Sequence, residues 1–141
     1  MTCIIAGTRE NALSLEYFHI SSGSSTIPTA TVRIRVGGEV RQESAWGDGP
    51  VDATFKAINA IACMPIKLEE YSLRAVTAGT EAMGEVSLRM VVNHSIVIIG
   101  RGTSTDILDA SAKAYVDGLN KIKQRISAPD AIQPSGDGDR V

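Results

Sequence analysis

The stretch EYFHISSGSSTIPTATVRIRV, Glu16 to Val36, has a counterpart in EYSLRAVTAGTEAMGEVSLRM, Glu70 to Met90. In register, Tyr17 meets Tyr71, Thr26 meets Thr80 and Val32 meets Val86, each at an offset of 54. Further on, Gly47-Asp48-Gly49 aligns with Gly100-Arg101-Gly102 at an offset of 53, and DATFKA from Asp52 aligns with DASAKA from Asp109 at 57. On this alignment the second copy gains four residues between its glycines and its helix. Two copies of one supersecondary unit predict a duplicated, pseudo-symmetric domain, because a solenoid needs three or more repeats to bury a continuous core.

Each copy reads as three strands and a helix. In TVRIRV, Val32, Ile34 and Val36 alternate with Arg33 and Arg35, the period-2 pattern of a half-buried strand. Gly37-Gly38 then marks a hairpin turn. A first strand is expected near Leu15 to Ser21, carrying Tyr17 and Phe18, and a third from Val40 to Trp46. Pro50 suits a first helical position, and Val51, Phe55, Ile58 and Ala62 follow as an amphipathic stripe. In the second copy Val86, Leu88 and Met90 alternate with Ser87 and Arg89, Asn93-His94 turns the chain, and SIVIIG returns. The second helix is expected to begin near Thr105, with Ser104 or Thr105 as its cap and Asp106 in its first turn. Its expected apolar face is Ile107, Leu108, Ala112, Tyr115, Leu119 and Ile122. The fold class is therefore α+β, two pseudo-symmetric βββα units forming one domain at residues 13–126, about 13–64 and 65–126. Residues 1–12 read as linker and the Pro-, Gly- and Asp-rich 127–141 as a disordered tail.

Composition narrows the function. A chain of 141 residues fits one domain and is too short for a barrel-type enzyme with an accessory domain. A formal net charge of −2 and scattered Lys and Arg give no basic stripe for nucleic acid. The longest apolar run, broken by Asn93 and His94, is far short of the roughly 20 residues that span a bilayer. Cys3 and Cys63 have no metal-ligand spacing and read as reduced thiols, so the expected location is the cytoplasm, with no metal or cofactor. His19 and His94 stand alone, and Asp109 with Lys113 reads as a surface ion pair.

The remaining chemistry is that of binding. Two Gly-x-Gly turns, each between a strand and a helix, would offer backbone N–H groups and the positive end of a helix dipole to an anion, or simply make a tight turn. Asp48 and Asp52 could meet an ammonium, and Val51, Ala53 and Ala75 could line a space for a short aliphatic side chain. Neither GDGP nor GRGTST completes a nucleotide-binding fingerprint. Tyr17 and Tyr71, equivalent in the repeat, read as core or interface aromatics whose hydroxyls reach a polar edge.

Four motifs in order, IPTATVRI, GDGPVDATFKAI, YSLRAVTAGTEAMGEV and GRGTSTDILDASAKAYVDGLN, resemble the C-terminal regulatory domain of 2-isopropylmalate synthases over about residues 13 to 124. The resemblance implies a domain that pairs into a homodimer and binds leucine as the feedback inhibitor of a reaction carried out on a separate catalytic barrel. None of the barrel's motifs is in this chain, which is expected to be inactive alone. The resemblance places the effector pocket at Gly47, Asp48, Gly49, Pro50, Val51 and Asp52, with further walls from Tyr71, Ala75, Ala82 and Ile107. The amides of Gly49 to Asp52 would take the carboxylate, Asp48 or carbonyl oxygens the ammonium, and Val51, Ala75 and Ile107 the isobutyl group. The alternatives are the isoleucine-sensing domain of citramalate synthases, a purely structural dimerisation module, and a small phosphate-binding enzyme.

Overall fold

A computed structural model describes residues 13–36, 38–62, 66–92 and 94–127. The expected linker at 1–12, most of the expected tail, both cysteines, and Gly37 and Asn93 of the two hairpin turns lie outside the described residues. The elements run β1 (Leu13–Gly23), β2 (Thr26–Val36), β3 (Glu39–Trp46), α1 (Pro50–Ala62), β4 (Ile66–Ala78), β5 (Glu81–Val92), β6 (Ile96–Ser104) and α2 (Ile107–Ser127). They form two antiparallel sheets, β1-β2-β3 and β4-β5-β6, each followed by a helix, which is the expected βββα arrangement twice over.

Alternation decides which face of each sheet is covered. In β2 the buried residues are Ala30, Val32, Ile34 and Val36, and in β5 they are Val86, Leu88, Met90 and Val92. Helix α1 lies on β2 and β3, α2 lies on β5 and β6, and the helices pack on each other. One apolar cluster therefore runs through both units, from Ile34 and Ile58 in the first to Leu88, Leu119 and Ile122 in the second. Phe55 and Tyr115 join the helices with ring centroids 5.0 Å apart. The opposite sheet faces are polar, as where Thr31 bonds Ser44 and Arg74 pairs with Glu85. Since Leu88 is fully buried at the centre of this shared core, Leu88→Ala is expected to cost about 2–5 kcal/mol in chemical denaturation.

The repeat holds in the middle strands and slips at their edges. Phe18 pairs with Val32 and Leu73 with Val86, so Phe18 and Leu73 are the equivalent positions. Tyr17 stands across from Arg33 on the outer polar face, whereas Tyr71 stands across from buried Leu88 on the inner one. The two tyrosines are thus not equivalent. Register irregularities fall at Leu15/Tyr17 in β1 and at Leu68/Glu70 in β4, and a one-residue slip turns a strand's side chains to the other face.

The glycine alignment also fails. Ala30 pairs with Ala45 and Gly84 with Ser104, which makes Ala45 and Ser104 equivalent and leaves Gly100-Arg101-Gly102 inside β6. The extra residues of the second copy lie in a longer β5–β6 hairpin, and its strand-to-helix loop is the shorter one. Gly100 and Gly102 are not a turn with free amides. They let α2 approach β6 at backbone distance: a Cβ on Gly102 would collide with the Ala110 carbonyl and reach 2.5 Å from the Ala114 nitrogen, and one on Gly100 would collide with the Ala114 carbonyl. The Arg101 N–H is occupied by Asp117 Oδ2 at 2.9 Å. The helical correspondence survives, because Ala53 and Ala110 each donate the first helical hydrogen bond of their unit, to Gly49 and Asp106.

Candidate functional site

The turn Gly47-Asp48-Gly49 does sit between a strand and a helix, as expected of the first copy. Gly49 accepts the Ala53 N–H at 2.9 Å, which makes it the cap residue, and Pro50 opens α1 where a missing N–H costs nothing. Asp52, at the third helical position, reaches back so that its Oδ2 accepts the Asp48 N–H at 3.0 Å, and it also pairs with Lys56 at 3.2 Å. The carboxylate expected to wait for an ammonium is therefore already engaged. Val51 is partly buried, and Ala53 is fully buried and so lines no ligand space.

The Asp48 backbone hydrogen bond, with help from Lys56, holds the Asp52 carboxyl below its ordinary value of 3.8. A folded-state pKa below the unfolded one means that this contact stabilises the fold above about pH 4 and is lost as pH falls through the folded value. Thermal unfolding followed from pH 5 down to about 2 should therefore show a shallower loss for Asp52→Asn than for the parent chain. Parallel curves would remove the contact from the account.

The second unit holds an open groove. Leu73 and Ala75 of β4, Ala82, Met83 and Gly84 of β5, and Ile107 at the start of α2 surround a space of about 400 Å³. That volume falls within the roughly 300–1,000 Å³ of small-molecule sites. Its floor is the directly paired Ala75 and Gly84, with the Ile107 and Leu73 side chains closing over the glycine. Arg74, whose guanidinium pairs with Glu85, and Thr105 complete the lining. The groove lies at the positive end of α2, whose cap differs from expectation. Asp106 is the cap, with its Oδ1 accepting the Leu108 N–H at 3.0 Å, and Ser104 Oγ accepts the Asp106 N–H at 3.2 Å. Ile107, placed by periodicity on the buried face, is 44% exposed because it precedes the stretch of α2 that sheet and helix cover. That exposure makes it a groove wall.

Of the residues marked in the sequence, the structure brings Ala75, Ala82 and Ile107 together in this groove. None of Gly47 to Asp52 is among its lining residues; Asp52 instead faces a smaller groove of about 190 Å³ with Phe55, Asn59 and Leu68. Tyr71 stands between the two places, its ring 6.3 Å from Phe55 and its hydroxyl donating to Ser111 Oγ at 2.8 Å. Ser111 in turn donates to the Ile107 carbonyl at 2.8 Å. Leu73, Arg74, Met83, Gly84 and Thr105 were not marked as site residues in the sequence. For Leu73 and Gly84 a cue existed, since both share the period-2 face of Ala75 and Ala82. At the smaller groove, burial in the core pushes the Tyr115 phenol well above its ordinary value. Asp109 and Lys113 form the expected surface pair at 3.0 Å.

A duplicated α+β domain of two βββα units, with an open groove at the head of its second helix, defines the class of this fold. Comparison with known proteins makes this particular: the LeuA allosteric (dimerisation) domain matches residues 4–123, and the chain belongs to that family. It is 53% identical over 109 residues to 2-isopropylmalate synthase of Carboxydothermus hydrogenoformans, covering 77% of this chain and 21% of that protein. To 2-isopropylmalate synthase of Pyrococcus furiosus it is 45% identical over 119 residues, covering 84% and 23%. The chain thus spans between a fifth and a quarter of these relatives' length. No helix among the described residues is long and apolar enough to cross a membrane.

Proposed function

We propose that this chain is the leucine-responsive, dimerising part of a cytoplasmic 2-isopropylmalate synthase, binding leucine so that the synthase's separate catalytic barrel is inhibited by the pathway's end product. The observation that carries the reading is the convergence of Ala75, Ala82 and Ile107 on one open groove of a size for a free amino acid. Ala75, Ala82, Leu73 and Ile107 take the isobutyl group. The groove is mainly apolar, and the Gly47–Asp52 turn is polar. A second copy that lays its turn over the groove completes both, with the first-turn amides of α1 near the ligand's carboxylate, since Gly47 and Asp48 donate theirs to Pro28 and Asp52.

Leucine inhibits only through its differential affinity for one arrangement of units or chains, a coupling of about 1–3 kcal/mol in typical allosteric proteins. Calorimetric titration with leucine, isoleucine, valine and 2-oxoisovalerate, beside sedimentation of the same samples, tests the reading. Leucine is expected to bind a dimer at least about tenfold more tightly than isoleucine, the scale of one displaced methyl. Isoleucine preference would move the chain to a citramalate-type sensor, and a folded dimer that binds none of the four would be a structural module.

A further inference from the structure

We infer that Asn120 is a positioning residue that ties the groove-bearing helix to the start of β1 in the other unit. The Leu13 N–H donates to Asn120 Oδ1 at 2.6 Å, and Asn120 Nδ2 donates to the Leu13 carbonyl at 3.1 Å. Leu13 is the first residue of β1, an edge strand that pairs only with β2. A side-chain amide carries one acceptor and two donors in the geometry of a peptide group, so Asn120 stands where the backbone of a neighbouring strand would stand. The two bonded residues lie 107 positions apart, in different units.

Helix α2 is built to carry displacement between its ends. It begins at Ile107 on the groove and reaches Asn120 about 20 Å further along its axis, at 1.5 Å per residue. Along that length it is seated on β6 at backbone contact through Gly100 and Gly102, and Lys121 Nζ donates to the Ile99 carbonyl at 2.7 Å. Sheet β4-β5-β6 and α2 therefore form one body, whose main contacts with the first unit are made by α2, to α1 and to β1. A shift of that body against the first unit moves Asn120, and Leu13 either follows or loses both hydrogen bonds. The start of β1 then feels the state of the groove. The connection to an effector rests on the proposed leucine reading; the tie between Asn120 and Leu13 does not.

Site-resolved amide exchange on the full chain, with and without leucine, tests both, with leucine affinity measured by calorimetry. Without ligand, Asn120→Ala is expected to speed exchange of the Leu13 amide about tenfold while core amides of β5 stay protected. Asn120→Asp keeps the acceptor for the Leu13 N–H but sets a carboxylate oxygen against the Leu13 carbonyl, so its Leu13 exchange should fall between that of the parent chain and that of Asn120→Ala. With leucine, protection at Leu13 should rise in step with that of α2 in the parent chain but not in Asn120→Ala, whose leucine affinity stays within about threefold. Unchanged Leu13 exchange in ligand-free Asn120→Ala overturns the tie. Leucine binding that leaves Leu13 unaffected in the parent chain overturns the coupling. Absence of leucine binding overturns the reading of the groove and leaves the tie to be decided by the ligand-free comparison.

Discussion

Gly102→Ala is expected to destabilise the chain by about 3 kcal/mol, at the upper end of what overpacking costs, because the added carbon meets backbone that cannot swing aside. Its Cβ would collide with the Ala110 carbonyl and lie 2.5 Å from the Ala114 nitrogen. Relief requires α2 to lift from β6, opening the seam that holds Val86, Leu88 and Leu119 out of water. The thermal midpoint should fall by on the order of 10 °C for a domain of this size. Gly100→Ala, which collides with the Ala114 carbonyl and leaves 2.9 Å to the Gly118 nitrogen, should behave alike. The contrast lies in the other Gly-x-Gly: a Cβ on Gly49 has nothing within 4 Å, and Gly49→Ala should cost less than about 1 kcal/mol, the scale of a cap change. Thermal unfolding of the three variants side by side checks this, and equal midpoints for Gly102→Ala and Gly49→Ala would refute the close packing of α2 on β6.

Ala75→Phe is expected to weaken leucine binding at least about a hundredfold, roughly 3 kcal/mol, without lowering the ligand-free thermal midpoint. Ala75 is exposed and faces the groove, so a ring there fills the space proposed for the isobutyl group while displacing no core atom. Ala82→Phe enters the same space from β5 and should match it. The pair separates a filled site from a damaged fold, since a variant that lost leucine only by unfolding would also lose its midpoint. Full leucine affinity in both variants would place the side chain elsewhere.

The parts of the architecture written in short-range pattern were legible. Alternation in TVRIRV and VSLRM assigned the buried faces of β2 and β5 correctly, because each face is covered by a helix and the period of two has a direct energetic meaning. Pro50 at the head of α1 was legible for the same reason, its missing N–H being tolerated there. Pairing register was not. The bulge near Leu15 turns Tyr17 outward where the repeat would have it match Tyr71, and a bulge leaves no distinctive residue in LEYF. Gly100-Arg101-Gly102 looked like Gly47-Asp48-Gly49 because glycine serves both a turn and a close helix approach; Gly47 does both, a Cβ there lying 2.7 Å from the Ala53 nitrogen, whereas Gly100 and Gly102 serve only the approach of α2. The groove was half legible: Ala75, Ala82 and Ile107 meet there, while Asp52 had a nearer partner in the Asp48 N–H. Competition from the chain's own backbone is invisible in a list of residues suited to a ligand.

On the proposed function, leucine sits in the groove between Ala75, Ala82 and Ile107. Backbone amide shifts, followed as leucine is titrated into isotope-labelled chain, check this placement residue by residue. The largest shifts are expected at Ala75, Ala82, Gly84 and Ile107, with a second set at Gly47 to Asp52 that appears only in the dimer. Saturable shifts confined to the outer face of β4-β5-β6, around Ser72, Ser87 and Arg101, would contradict it.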